Sequence, residues 1–335
     1  MKYKADGTIN KYNARLVARG FSQKEGINYE ETFAPTATMS TIRLVLALAA
    51  QFNWKVHQMD VKSAFLNGDL QEEVYMMPRP GFKVVGLEQK VCRLAKALYG
   101  LKQAPRAWYM KIDQYLTDHG FQRSPFDANL YIKHTGDDIL FVVVYVDDLI
   151  ITGSSAHLIH GIKQDLCRTL DMTDLGLLHR CLGVEVWQTE NHIFLSQSKY
   201  AKNLVDRFRM QDCKPATTPM EPRLKLSAQS SSPLVDETLF RQLVGSLIYL
   251  TTTRPDISFA VSYISRFMSA PKADHWIAAK RVLRYVRGTS DYGLLYTRSS
   301  DPILSVYTDS DWAGSVDDRK STAGYVFSLG SSAVT

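Results

Sequence analysis

Cysteine is scarce: Cys92, Cys167, Cys181 and Cys213 are the only four in 335 residues. None sits in a CxxC pair or a Cys/His ligand spacing, so the pattern argues against a zinc site and for buried free thiols in a reducing, intracellular setting. Also missing are a charged start followed by an apolar run and any apolar stretch of 18 residues, the marks of a secretory leader and of a membrane span. No internal repeat is evident. Nor does one sign of charge dominate: 40 Lys and Arg against 34 Asp and Glu leave +6 and a pI near 9.0, which leans toward a polyanionic partner without naming one.

What is present is a globular composition. At 45% hydrophobic over 335 residues the chain can bury more than one core, and its length suggests about two or three domains. Lys90, Arg93, Lys96, Lys102, Arg106 and Lys111 cluster with no acidic residue between 90 and 111. Such a patch either holds phosphates or is a solvated face, and charge alone does not decide.

Periodicity outlines the elements. Residues 2–18 read as a hairpin turning at Asp6-Gly7. The apolar run from Ser40 to Phe52 has helical length with Ser40 as its cap, and 54–60 reads as a strand ending at Asp60. Residues 139–153, ILFVVVYVDDLIITG, are two β-branched runs around Asp147-Asp148: a buried hairpin with carboxylates at its tip. Leu158, Ile162, Leu166 and Leu170 mark the apolar face of a helix under that sheet, with Lys163, Asp165 and Arg168 on its other faces. The Ser-rich, Pro-bounded stretch 220–232 reads as a linker. Beyond it Leu239, Leu243 and Leu247, then Trp276, Ala279, Leu283 and Val286, predict helices, the last with a basic stripe of Lys280, Arg284 and Arg287. From Ile303 the pattern turns to strands.

Two adjacent aspartates at an apolar hairpin tip are costly, because like charges at contact repel and burial disfavours both. A cation is the simplest remedy, and Asp60 at a strand end is placed to join them with the hard oxygen ligands that suit magnesium. A solvated turn pair is the plainer alternative for an isolated DD.

Seven long words narrow the choice: ARLVARGFSQKEGINYEETFAP, MDVKSAFLNG, LYGLKQAPRAWY, VYVDDLIITG, LGVEV, LVGSLIYLTTTRPDISFAVS and YTDSDWAGSVDDRKSTAGYVF. In content and order they resemble the reverse transcriptase of copia-type LTR retrotransposon Pol polyproteins, over essentially the whole chain. The resemblance implies an RNA-directed DNA polymerase of α+β right-hand fold, with fingers and palm in 1–219, the linker in 220–232, a helical thumb or connection in 233–300 and an incomplete RNase H-like domain in 301–335. It implies Asp60, Asp147 and Asp148 as catalytic residues holding two Mg2+ ions, or Mn2+ in their place. It implies Arg15, Phe65, Lys102, Gln103 and Arg106 at the incoming nucleotide, Phe65 as the steric gate against a ribose 2′-oxygen, and Tyr145, Gly183, Lys280, Arg284 and Arg287 along primer and template. For Phe65 and Tyr145 the local sequence alone is equally served by core packing. Asp309 would be the first carboxylate of the RNase H site.

Departures from the pattern accompany the match. Asn13 stands where the family carries a cation, Arg180-Cys181 replaces an aromatic pair before LGVEV, Met1 falls inside the fingers hairpin, and the RNase H word lacks partners for Asp309. These features support the alternative of a catalytically inactive remnant that still binds nucleic acid. A nucleotide cyclase lacks support in LYGLKQAPRAWY. The implied partners are an RNA template, a DNA primer, their hybrid, deoxynucleoside triphosphates and the rest of a Pol polyprotein, with no membrane, in a cytoplasmic virus-like particle or the nucleus.

Overall fold

The computed structural model describes residues 2–3, 9–11, 14–78, 81, 86, 89–299 and 302–335. In chain order its principal elements are α1 (Met39–Phe52), β1 (His57–Val61), α2 (Ala104–Asp118), β2 (Gln122–Arg123), β3 (Leu130–Thr135), β4 (Asp138–Tyr145), β5 (Asp148–Gly153), α3 (Ala156–Thr169), β6 (Met172–Leu177), β7 (Arg180–Cys181), β8 (Val184–Gln188), β9 (His192–Ser196), α4 (Ser198–Arg207), α5 (Glu237–Leu250), α6 (Ser258–Ser265), α7 (Ala273–Gly288), β10 (Gly293–Thr297), β11 (Leu304–Ser310), β12 (Ala323–Leu329) and β13 (Ser332–Ala333). Contacts divide the chain into two units, residues 1–38 with 57–176 and residues 39–56 with 177–335. The mixture of helices and antiparallel sheets agrees with the expected α+β class.

The first unit is built on a six-stranded sheet of order β6-β1-β5-β4-β3-β2. Its central hairpin is the expected one: β4 and β5 pair antiparallel from Leu140 with Gly153 to Tyr145 with Asp148. Leu140, Val142 and Val144 from β4, Leu149 and Ile151 from β5 and Met59 from β1 share one core with Trp108, Ile112 and Leu116 of α2 and Ile159, Ile162 and Leu166 of α3. Phe141, Val143 and Ile150, on the opposite sheet face, are buried as well, which is why these strands read as continuous apolar runs. A cap on α3 is legible in sequence, since the Ser155 hydroxyl accepts from Leu158 N.

In the second unit β7-β8-β9-β10 form one sheet and β11-β12-β13 another. Helices α4 to α7 enclose a separate core around Leu204, Phe240, Leu243, Leu247, Ile264, Val282, Leu283 and Val286.

Several expectations shift. The first helix starts at Met39, so Ser40 lies inside it, and the strand after it starts at His57 rather than Trp54. Lys163, read as lying off the apolar face of α3, is only 8% exposed. It donates to His57 Nδ1 at 3.2 Å and pairs with Asp174 at 2.6 Å, so burial is offset by two partners. Leu239 is 41% exposed although Leu243 and Leu247 on the same helix are buried. Cys181 is buried, but Cys92 is exposed on a short strand facing Tyr75–Met76. Residues 220–232 contain no helix or strand, yet they are packed: Leu226 is in the helical core, Leu226 N donates to Tyr263 Oη and His275 Nε2 lies 3.1 Å from Ser227 O. Strands Lys2–Tyr3 and Ile9–Lys11 pair antiparallel, while Asp6, Gly7 and Asn13 lie outside the described residues.

Candidate active site

Asp148 and Asp60 are brought side by side by strand pairing. On β5, Asp148 is the cross-strand partner of both Tyr145 on β4 and Asp60 on β1. The hairpin loop between β4 and β5 is the two residues Val146-Asp147, and Val61 N donates to Asp147 O at 2.9 Å, locking the turn against β1. Val146 has φ of 53°, a left-handed conformation that a β-branched residue rarely adopts. Strain of that kind costs about 1–3 kcal/mol and persists only where the surroundings over-determine it. Here the Trp108 indole donates to Val146 O at 2.5 Å.

The electrostatics follow from that geometry. The Asp148 carboxyl is raised above its ordinary range by burial, and further by the negative charges of Asp147 and Asp60, against the hydrogen bond it accepts from Gln58 at 2.9 Å. Its ionised form therefore favours an added cation. No three His, Cys, Asp or Glu side chains among the described residues close on a single point. An oxygen-only set of donors and a raised carboxyl are of the kind that suits a hard divalent ion.

Beside the carboxylates stands a residue the sequence reading passed over. Tyr99 packs its ring 4.8 Å from that of Phe65 and carries the Arg15 guanidinium 4.6 Å above its face. Burial raises the Tyr99 phenol above its ordinary pKa, Arg15 opposes this, and Asp147 and Asp60 add to it, so the ring lies within the field of the acidic end of the sheet. Three of the words singled out in sequence thus meet around one tyrosine. The only signal for it was that Tyr99 lies inside LYGLKQAPRAWY.

Other nominated residues sit differently. Gln103 is 2% exposed, and both ends of its amide are engaged inside the protein: it accepts from Gln23 Nε2 at 2.9 Å and donates to Asn28 O at 3.0 Å. It pins the 23–28 loop to the start of α2. Lys102 is exposed and reaches Gln23 O, the Tyr29 hydroxyl and the Tyr29 ring, while Arg106 donates to Phe33 O. Within the 90–111 basic cluster, Arg93 pairs with Glu73 and Lys111 with Asp69.

In the second unit, Leu182 and Gly183 form the two-residue loop between β7 and β8, both with positive φ, so the glycine serves a tight turn. A Cβ on Gly183 would meet the Tyr249 hydroxyl at 2.0 Å, and that hydroxyl donates to Leu182 O at 2.7 Å. On α7 the face opposite the basic stripe, Ala279, Leu283 and Val286, is fully buried. The stripe itself is partly occupied: Arg284 donates to Lys214 O, and Arg287 to Gln211 O and Cys213 O, holding the segment that follows α4. Lys280 is exposed, its ammonium 5.4 Å from the Trp276 ring centre. Asp309 is exposed on β11 opposite Gly324. Asp311 lies past the end of that strand, where its carboxylate accepts from Thr322 N and Gly314 N.

Residues 1–222 match the model of the family described as reverse transcriptase (RNA-dependent DNA polymerase). The chain belongs to the reverse transcriptase family. It is 45% identical over 329 residues to the retrovirus-related Pol polyprotein from transposon RE1 of Arabidopsis thaliana, covering 98% of this chain and 22% of the relative. To the Pol polyprotein from transposon TNT 1-94 of Nicotiana tabacum it is 43% identical, covering 100% of this chain and 26% of the relative. A putative transposon Ty5-1 protein of Saccharomyces cerevisiae is 36% identical across 83% of this chain and 91% of its own length. This reverse transcriptase is thus of the copia-type Pol group, and it spans about a quarter of the length of the plant polyproteins it matches. The family is one of nucleotidyltransferases.

Proposed function

We propose that the chain is an RNA-directed DNA polymerase that adds deoxynucleotides to a primer 3′-hydroxyl, with Asp60, Asp147 and Asp148 as its catalytic carboxylates. The observation that carries this reading is the pairing of Asp148 with Asp60 across β1 and β5, next to a strained turn that presents Asp147. The right-hand layout follows with it: the six-stranded sheet with α2 and α3 is the palm, the 14–38 segment belongs to the fingers, and α5 to α7 form the thumb or connection. The strands from Leu304 onward would begin an RNase H-like domain.

Two divalent ions, Mg2+ or Mn2+, would when bound make the primer hydroxyl a better nucleophile and neutralise charge on the leaving pyrophosphate. Asp60 and Asp147 would hold them, with Asp148 in support, its proton affinity kept high by burial. Arg15, presented on the Tyr99 ring, would meet the triphosphate, whose oxygens match the planar fork of guanidinium donors. Phe65, packed on the same ring, would stand against a ribose 2′-hydroxyl and so favour deoxynucleotides. RNA template, DNA primer and deoxynucleoside triphosphates are the substrates on this reading, and the natural setting is a Pol polyprotein in a cytoplasmic particle.

Primer extension on a homopolymer RNA template tests it. Asp147→Asn should lower incorporation by at least ~100-fold, because a neutral amide forfeits several kcal/mol of cation-dependent stabilisation. Extension equal to that of the unaltered chain would remove Asp147 from the catalytic set.

A further inference from the structure

The segment that brings Arg15 to Tyr99 has almost no core of its own. From Ala14 to Tyr29 only Gly20 is buried, and Phe21 and Ile27 stand 84% and 75% exposed. Burial of apolar surface therefore does little to fix its position. Residues 14–19 belong to no helix or strand, and among the described residues Arg15 makes no ion pair, its guanidinium lying over the Tyr99 ring.

What holds the segment is a set of hydrogen bonds to residues 99–103. Ala18 N donates to Tyr99 O at 2.7 Å. Gln23 contributes both halves of its amide: Oε1 accepts from Lys102 N at 2.8 Å, and Nε2 donates to Gln103 Oε1 at 2.9 Å. Gln103 Nε2 passes the tie on to Asn28 O at 3.0 Å, and Lys102 Nζ reaches Gln23 O at 3.3 Å. The backbones also meet closely, since a Cβ on Gly20 would lie 1.8 Å from Gly100 O and one on Gly100 would lie 2.2 Å from Ala18 O. The far side of this clasp is firm. Gln103 leads directly into α2, whose Ala104 and Trp108 are buried in the first unit. Glutamine suits the middle position because a neutral amide accepts and donates at once, whereas a carboxylate only accepts and would face the Gln103 oxygen.

We propose that Gln23 is a positioning residue for the nucleotide site. Its amide, bonded to Lys102 N and to Gln103, holds the 14–29 segment on residues 99–103 so that Arg15 stands over Tyr99 where a triphosphate arrives. Gln103 then acts through Gln23 and does not touch the nucleotide. The proposal rests on the polymerase reading for the identity of the ligand.

The full chain, bound in Mg2+ to a primer–template whose primer ends in a dideoxynucleotide, is titrated with a fluorescent deoxynucleoside triphosphate, so that binding is read without incorporation. Steady-state extension of an ordinary primer is measured alongside. Gln23→Glu and Gln103→Ala should each weaken nucleotide binding by ~5–30-fold, as the loss of one or two well-placed hydrogen bonds does, and should raise KM with kcat largely kept. Their double variant should lose no more than the weaker-binding single, because both act through one clasp. With Arg15→Ala already in place, Gln23→Glu should cost nothing further. Gln23→Asn, too short to span both partners, should behave as Gln23→Glu does. Nucleotide binding by the Gln23 variants as tight as that of the unaltered chain would overturn the proposal, and a loss confined to Gln103→Ala would put Gln103 on the nucleotide itself. Additive losses from Gln23→Glu and Arg15→Ala would equally overturn it, because the clasp would then act elsewhere than through Arg15. Failure of the polymerase reading looks different: the unaltered chain would neither bind the nucleotide nor incorporate it, and the proposal would fall with that reading.

Discussion

At the scale of residues, Tyr99 shows how a side chain with no charge of its own can organise charged neighbours. Its ring is the common contact of Arg15 and Phe65, so removing it loosens a cation and an aromatic together. A partly exposed cation–π contact is worth about 0.5–2 kcal/mol. Tyr99→Ala should therefore raise KM for a deoxynucleoside triphosphate by ~3–30-fold, with a smaller change in kcat, and reduce discrimination against ribonucleotides, while Tyr99→Phe keeps both. Steady-state kinetics with matched deoxy- and ribonucleotides makes the measurement. Unchanged KM and sugar selectivity in the alanine variant would reduce Tyr99 to packing. Gln103 gives the opposite lesson. A residue type suited to nucleotide contact has spent its amide on Gln23 and Asn28.

At the scale of elements, β1 carries Asp60 at one end and His57 at the other, and His57 is tied to α3 and β6 through Lys163 and Asp174. Burial pushes the His57 pKa down, the Lys163 charge pushes it further, and Asp174 partly opposes both. Asp174 is also held below the usual carboxylate range. Burial works against this, but the hydrogen bonds from Lys163 and Gly176 N prevail. In both cases the unfolded chain binds more protons than the folded one, so stability rises with pH through each window. The His57 contribution is complete above its ordinary value near 6.5 and is lost as pH falls toward the lower folded value. That of Asp174 is lost only in stronger acid. Melting temperatures recorded from about pH 7.5 to pH 5 should fall with acidification, and His57→Gln should flatten the decline near neutrality. A slope indifferent to the substitution would place the acid sensitivity elsewhere.

At the scale of the whole molecule, the chain order and the packing order differ. Helix α1 precedes β1 in sequence, yet it packs with the second unit, on β9 and β10. Gln51 donates to Ser299 O at 2.7 Å and accepts from Ser299 N at 2.9 Å, and Arg43 reaches Thr252 O. Ile42, Val45 and Leu46 are almost fully buried, each worth about 1.5–3 kcal/mol, together a large share of the ~5–15 kcal/mol that stabilises a domain. A fragment of residues 177–335 should therefore lack a cooperative thermal transition, and a peptide of residues 39–56 added in trans should restore one. Calorimetry reads both. Cooperative melting of the fragment alone would show that α1 is dispensable to that core.

The hairpin that carries Asp147 and Asp148 was legible in sequence because it is locally encoded by two β-branched runs around a polar pair. Strand alternation with a two-residue loop then fixes that Asp148 faces Asp60 once β1 and β5 pair. The helical faces Leu243–Leu247 and Ala279–Leu283–Val286 were equally local, since a period of 3.6 names the buried side without naming its partner. Partnership itself needed tertiary structure. Lys163 reads as a charge off the apolar face of its helix until His57, 106 positions away, and Asp174 surround it, and the apolar run of α1 does not say that it packs on β9 and β10. Residue type and local period set which groups must be buried, paired or hydrated, and only the long-range packing of distant segments decided which group satisfies which.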